Sequence, residues 1–432
     1  MAERKFDCIV TGGGLAGLTA ATTMARAGLK VVVLERGSFP GAKNVMGGVL
    51  YRHPTEQIFP EFWKTAPLER PVVKQSIWIL GKNGAVEAGA TSLPAADGQP
   101  NAWTILRARF DKWLAKQAAD AGVLIVHETV VTDVIKRNGK VVGVRTDREQ
   151  GDLYADVVIA ADGVSSVPAR MAGLRPDWKE EDLAVAVKEI IALPREKIED
   201  RFAISPEGGA TIELVGEATA GRMGISFIYT NKESISVGAG VLMSELIAAK
   251  MNPNDFIEKL KDHPAVRPLV AGGSTREYMA HLIPEGGYHT IHNVHAAGIL
   301  VAGDAAGLVN SYHREGSNLA MISGKMAGET VIDAVKKGDF STGTLSSYRD
   351  RLEESFVIKD LRKYKNLGHY MVKRPHFFGI YPEMVNMAAT EFLRVDGVPK
   401  RAVQMGIFRK ALGMRSIFGM VKDAIGAAWR GV

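Results

Sequence analysis

The sequence predicts an α/β fold in which a parallel sheet is interrupted by a β-rich insertion and followed by a helical C-terminal region. Three observations predict it. Short apolar runs that end in glycine turns occur near residues 6–34, 154–163 and 296–310, as expected for strands buried on both faces. Residues 51–101 and 183–283 carry segments of β-type composition punctuated by glycine and charge. Beyond about Gly338 these give way to charged and amphipathic helical patterns. Residues 1–50, 102–182 and 284–337 are therefore assigned to a discontinuous first domain, 51–101 and 183–283 to a β-rich domain, and 338–432 to the helical region.

The first element is the most informative. In FDCIVTGGGLAGLTAATTMARAGLKVVVLER the run Cys8–Thr11 reads as a buried strand. Gly12, Gly13, Gly14, Leu15, Ala16 and Gly17 follow as G-x-G-x-x-G, then an alanine-rich helix, then a second apolar strand ending at Glu35 and Arg36. Gly12 permits the tight turn, Gly14 lets backbone approach a pyrophosphate, and Gly17 lets helix and strand pack closely. The helix N-terminus offers free N–H groups and a positive dipole end to phosphates. Glu35 stands where an acid accepts hydrogen bonds from ribose hydroxyls. The motif alone does not separate FAD from NAD.

Two later segments do. In YADVVIAADGVSSVPAR a strand runs into Asp162-Gly163, and in AAGILVAGDAAGLVN another ends in Gly303-Asp304, with a helix start marked by Gly316 soon after. This order resembles the glutathione-reductase-type FAD fold, and within it the group containing p-hydroxybenzoate hydroxylase. The resemblance implies FAD as cofactor. It implies that Asp304 holds the ribityl chain, that the helix after Gly316 points its N-terminus at the flavin, that Arg109 lies near the FAD phosphates, and that Val131 makes a backbone contact to adenine.

There is no second strand–G-x-G-x-x-G–helix unit, and the only cysteine is Cys8. A dithiol reductase chemistry and a protein-ligated iron–sulfur or multi-thiolate zinc site are thereby excluded. Cys8, inside an apolar run, reads as a buried small hydrophobe. The N-terminus enters a strand directly, without a signal-peptide pattern, which predicts a cytoplasmic start. No apolar run is long enough to span a bilayer. The formal net charge of +6 resides in residues 400–432, where seven Lys and Arg face one acid, Asp423; residues 1–399 are formally neutral, so no nucleic-acid partner is predicted.

The loop RGSFPGAKNVMGGVLY, together with FPEFWKTAPLERPVVKQSIWIL, RARFDKWLAKQAADAG and GDAAGLVNSYHREGSNLAMISGKMAGE, is similar to the electron-transfer-flavoprotein:quinone oxidoreductase family in its FixC-type branch. The resemblance spans most of residues 1–365. It implies an FAD enzyme that accepts electrons from the α and β subunits of an electron transfer flavoprotein and reduces a membrane quinone. Mitochondrial members carry their own [4Fe–4S] cluster. A chain with one cysteine cannot, which implies a ferredoxin-like partner of the FixX type, and the branch also admits an electron-bifurcating complex. Gly47 and Gly48 would let backbone pass the flavin ring. Lys43 is either a stabiliser of reduced flavin or a solvated loop cation. His313 and Arg314, just before the flavin-side helix, are similar candidates. No side chain is assigned as an acid–base catalyst. The alternatives on the same fold are a stand-alone NAD(P)H-dependent monooxygenase or prenyl reductase, and a non-catalytic FAD-bound assembly subunit.

In the tail, Ile407, Ala411, Met414, Phe418, Val421, Ile425, Ala428 and Val432 fall on one stripe of a single helix, with Trp429 at its edge and Arg415 and Lys422 flanking it. A basic amphipathic segment of this kind, residues 402–432, reads as lying on an anionic membrane surface at the inner face of the cell membrane, the alternative being a helix docked on its own protein or a partner subunit. Its glycines make it marginal alone. The Met- and aromatic-rich segment HYMVKRPHFFGIYPEMVNMAATEFL is either core or an apolar quinone entry.

Overall fold

The computed structural model describes residues 5–45, 47–92 and 98–431. Two sheets organise the chain. The first runs in the order His295–Ala296, Ile299–Val301, Leu153–Ala160, Lys5–Thr11, Val31–Leu34 and Leu124–Val126. Its four central pairings, from Ile299–Val301 to Leu124–Val126, are parallel. Cys8, Ile9, Val10, Val157, Val158 and Ile159 are all buried, as expected for a parallel sheet covered on both faces.

The helices Leu15–Arg26 and Ser317–Lys337 pack on each other. A Cβ at Gly324 would lie 2.2 Å from the Ala16 carbonyl oxygen, and one at Gly328 2.9 Å from that of Ala20. Only glycine allows this approach, which brings the N-terminal ends of both helices to the same edge of the sheet.

The second sheet runs in the order Ser274–Pro284, Leu183–Ala192, Ser234–Leu242, Gly224–Thr230, Gly209–Gly216, Leu68–Leu80, Ala102–Ile105 and Val49–Tyr51, with Ala85–Thr91 paired to Leu68–Leu80. It is antiparallel except where Leu68–Leu80 meets Gly209–Gly216. Strand pairing thus draws Val49 and Ala102–Ile105 into this sheet.

The helical region is divided more finely than its sequence patterns, and its tail differs from the sequence reading. The charged stretch after Gly338 forms three short helices, Thr342–Leu345, Ser347–Glu354 and Phe356–Lys363. Ser355 adopts extended backbone and its hydroxyl accepts from the Val357 amide, so it ends one helix and caps the next. The tail is two helices, Lys400–Met414 and Ile417–Gly431, not one. Arg415 is extended between them (φ −153°, ψ 132°), so the apolar stripe does not continue across it, and Val432 lies outside the described residues.

Beside the break lies Asp423, which is buried. Its carboxylate accepts from Arg415 Nη2 (2.6 Å) and the Tyr381 hydroxyl (2.7 Å), and lies 2.8 Å from His376 Nε2. Arg415 is turned inward by this pairing and does not flank an exposed stripe. One helical turn on, Gly426 rests on Tyr370: a Cβ there would sit 1.9 Å from the Tyr370 oxygen. The aromatic segment is therefore the bed on which the last helix lies. The opposite face of that helix is open, with Phe418 81% and Trp429 84% exposed and Val421 and Ile425 exposed beside them. Among the described residues, no helix is long and apolar enough to cross a membrane.

Candidate functional site

A cavity of about 370 Å³ lies between the C-terminal edge of the parallel sheet and the second sheet. Gly12, Gly14, Leu15, Ala16, Glu35, Arg36, Lys43, Gly47, Gly48, Val131, Asp162, Gly163, Asp304 and Gly316 line it. Gly13, Gly17 and Gly303 stand behind this wall, and Arg109 points elsewhere.

The glycine turn is built for close approach. Gly12 has φ +94°, and a Cβ there would meet the Ala161 carbonyl oxygen at 2.4 Å. At Gly14 a Cβ would meet nothing within 4 Å: the space above this backbone is free for a ligand. Glu35 fixes the turn from below. Its two carboxylate oxygens accept from the amides of Gly13 (2.8 Å) and Gly37 (2.6 Å). It therefore shapes the phosphate loop as well as lining the cavity.

Arg109 is 68% exposed and bonds Glu69 at 3.3 Å. The arginine of this helix that lines the cavity is Arg107, two residues earlier. It makes a two-point pair with Asp111, Nε and Nη2 each donating at 2.7 Å, and Asp111 is fully buried. Asn44 Nδ2 donates to the same carboxylate at 2.8 Å, which ties the loop around Lys43 to the helix Arg107–Asp120. The signal available in the sequence was the i, i+4 pairing of Arg107 with Asp111.

Three of the carboxyl groups lining the cavity, Asp162, Asp304 and Glu285, have raised pKa values. Asp162 donates nothing and accepts from the Val167 amide through Oδ2 (2.7 Å), while its buried Oδ1 has no protein partner among the described residues. Burial pushes its pKa up to about 6, partly countered by the Val167 amide and Arg36. Burial likewise raises Asp304 to about 6 against the pull of Arg107, and Glu285 to about 7 against a hydrogen bond with Ser311. Asn310 also lines the cavity with an unsatisfied buried Oδ1.

At the far end the helix Ser317–Lys337 opens at Gly316, beside Gly47, Gly48 and the strand Gly224–Thr230. Phe227 and Tyr229 stack from that strand, with ring centroids 4.9 Å apart. A Cβ on Gly47 would lie 2.4 Å from the Tyr229 ring. The Tyr229 hydroxyl donates to buried Glu213 (3.0 Å), which also accepts from Arg314 Nη1. Phe227, Tyr229, His281, Glu285 and Glu213 were not legible as site residues, because strand residues from distant segments acquire a shared face only through sheet register.

These features fit FAD. Backbone N–H groups and a helix N-terminus serve a pyrophosphate, and unsatisfied acceptors on Asp162 and Asn310 suit ribose or ribityl hydroxyl donors. A second helix N-terminus, at Gly316, opens onto the cavity, where its dipole favours negative charge.

Comparison with known proteins agrees. Residues 7–184 match the FAD dependent oxidoreductase family, and residues 367–431 match the ETF-QO/FixC family C-terminal domain. The chain is 45% identical to "Protein FixC" of Azotobacter vinelandii, covering 100% of both chains. It is 39% identical to the "Probable electron transfer flavoprotein-quinone oxidoreductase YdiS" of Escherichia coli K12, covering 99% of both. A geranylgeranyl bacteriochlorophyll reductase-like protein from Thermoplasma acidophilum has the same fold, with TM-score 0.74 at 20% identity over 99% of this chain and 100% of that one. A glycine-turn cavity with unsatisfied acceptors, joined to a C-terminal domain of this kind, makes the chain an FAD-dependent oxidoreductase of the FixC branch of the electron-transfer-flavoprotein:quinone oxidoreductase family.

Proposed function

We propose that this chain takes electrons from an electron transfer flavoprotein and passes them to a membrane quinone, within an electron-bifurcating complex that includes a ferredoxin-like [4Fe–4S] partner of the FixX type. FAD supplies the redox chemistry. The chain's own residues bind and orient it: the turn Gly12–Gly14 receives the pyrophosphate, Asp162 and Asp304 accept from sugar hydroxyls, and the Asp111–Arg107 pair holds the loop carrying Lys43 against the cavity. Cys8, the single thiol, is buried and its pKa is pushed up by desolvation, so a cluster belongs to a partner.

The observation that carries the reading is the open face of Ile417–Gly431, an apolar surface suited to bringing an FAD oxidoreductase to a lipid-soluble acceptor. It supports peripheral attachment at the inner face of the membrane. The test is reconstitution. Purified holoprotein, reduced electron transfer flavoprotein and the iron–sulfur subunit are mixed with quinone-loaded vesicles, and flavin absorbance and quinone reduction are followed. Bleaching followed by quinone-dependent return of the oxidised spectrum is expected. Rapid NAD(P)H oxidation by the chain alone, with hydroxylation or saturation of a lipid, would replace the proposal by the monooxygenase or prenyl-reductase reading. FAD that stays oxidised throughout would indicate an assembly subunit.

A further inference from the structure

One buried carboxylate outside the phosphate-binding half of the cavity joins segments that are far apart in sequence. Glu213, in the strand Gly209–Gly216, accepts from the Tyr229 hydroxyl at 3.0 Å and pairs with Arg314. Its side chain is 8% exposed. Arg314 also donates through Nη2 to Gln75 Oε1 at 3.0 Å. Arg314 lies two residues before the helix start at Gly316, and it has φ +59°, a left-handed conformation unfavourable for a side-chain-bearing residue. That conformation delivers its guanidinium across the cavity end onto the second sheet. Arg314, Tyr229, Gly47 and Gly316 all line that end.

The charge state of the network follows from its surroundings. Burial and the neighbouring carboxylate hold the Tyr229 hydroxyl well above its usual pKa, so it stays protonated and donates. The same carboxylate holds Arg314 above its usual range despite its burial. The pair thus carries one negative and one positive charge that cancel at the place where the helix dipole already favours negative charge. Glu315, the next residue along the chain from Arg314, also lines the cavity and accepts from Asn310 (3.1 Å) and Asn318 (3.0 Å).

We propose that Glu213 and Arg314 form a charge-compensating pair that sets the reduction potential of the bound flavin, Glu213 masking a cation which would otherwise stabilise the reduced, anionic ring. Glu213 is thereby a positioning residue: it acts through Arg314 and Tyr229 and touches neither substrate nor acceptor. The proposal rests on the flavin ring lying at the Gly316 end of the cavity. It does not depend on which protein donates the electrons or which molecule accepts them.

The test is the midpoint potential of FAD in the purified holoprotein, measured by dye-linked reductive titration. E213Q leaves Arg314 unmasked and shifts the potential to more positive values. R314Q leaves Glu213 uncompensated and shifts it to more negative values. The double variant E213Q/R314Q returns towards wild type, and R314K, which keeps the charge, stays near it. Single variants that move in the same direction, or that hold stoichiometric FAD at the wild-type potential, overturn the proposal. Should E213Q lose FAD, R314Q and R314K still decide it; loss of FAD from all variants makes the pair structural and also overturns it. Failure of the quinone reconstitution alongside opposite potential shifts would sink the proposed function and leave this inference standing.

Discussion

Arg107 and Arg109 sit two positions apart in RARFD, on one helix, and face different environments. Arg107 is locked by a two-point contact with fully buried Asp111, whereas Arg109 reaches solvent beside Glu69. A planar guanidinium held at two points is pre-organised for a phosphate in a way a lysine is not. Arg107→Lys should therefore weaken FAD binding by about tenfold or more, roughly 1.4 kcal/mol, and Arg109→Met should change it by less than about twofold; both are read by flavin fluorescence titration of the FAD-free chain. The cavity carboxyls carry a pH prediction. Asp162 and Asp304 have folded-state pKa values of about 6, above the ordinary aspartate value. The unfolded chain therefore loses these protons first as pH rises, so the FAD-free protein should lose stability between about pH 4 and pH 6. Hydroxyl donors from FAD favour the ionised carboxylates. FAD binding near pH 6 should then release protons and tighten as pH rises towards 7. Calorimetry in buffers of different ionisation heat checks the sign; proton uptake would refute it.

At the scale of elements, the tail is two helices rather than one. The periodicity of Ile407 to Ala428 is compatible with one continuous helix, and nothing local forbids it except modest glycine cost. At the break, buried Asp423 gathers Arg415, His376 and Tyr381 from three segments. Removing one partner of a buried, hydrogen-bonded charge cluster is costly, so Asp423→Ala should destabilise the helical region by about 3–5 kcal/mol, seen as faster proteolysis near residue 415. Gly426→Val should lift the same helix by steric conflict with Tyr370, with FAD content unchanged in both variants. The reading of 402–432 as amphipathic was available from the sequence. Which face points outward was not, because period 3.6 assigns residues to a stripe without saying what the stripe meets.

Across the whole molecule, charge and apolar surface are concentrated at one end of the chain. The seven cations of residues 400–432 include Arg415 and Arg430, which turn inward to Asp423 and Tyr370, while Lys400, Arg401, Arg409, Lys410 and Lys422 remain exposed. Exposed Phe418, Ile425 and Trp429 stand among them. Burying each such side chain is worth about 1.5–3 kcal/mol. Replacing all three by serine should lower partitioning onto anionic vesicles by about 100-fold or more, with FAD retained, as measured by co-sedimentation. Deleting 402–432 should abolish it. Vesicle binding that survives both changes would assign this surface to a subunit interface.

The sequence by itself determined the parallel nucleotide-binding frame and, through its single cysteine, that this chain's own thiolates cannot hold a cluster. These rest on local chemistry: a glycine turn between a strand and a helix, an acid at the end of the next strand, and one thiol. Tertiary structure alone decided that Arg107 rather than Arg109 faces the cavity, that Glu213 meets Arg314, and that Asp423 is buried beneath the last helix. Each of these depends on residues about 40 to 100 positions apart being brought within hydrogen-bond reach, as Arg109–Glu69, Arg314–Glu213 and Tyr381–Asp423 are. Such pairings follow from sheet register and helix packing, which spacing along the chain does not encode.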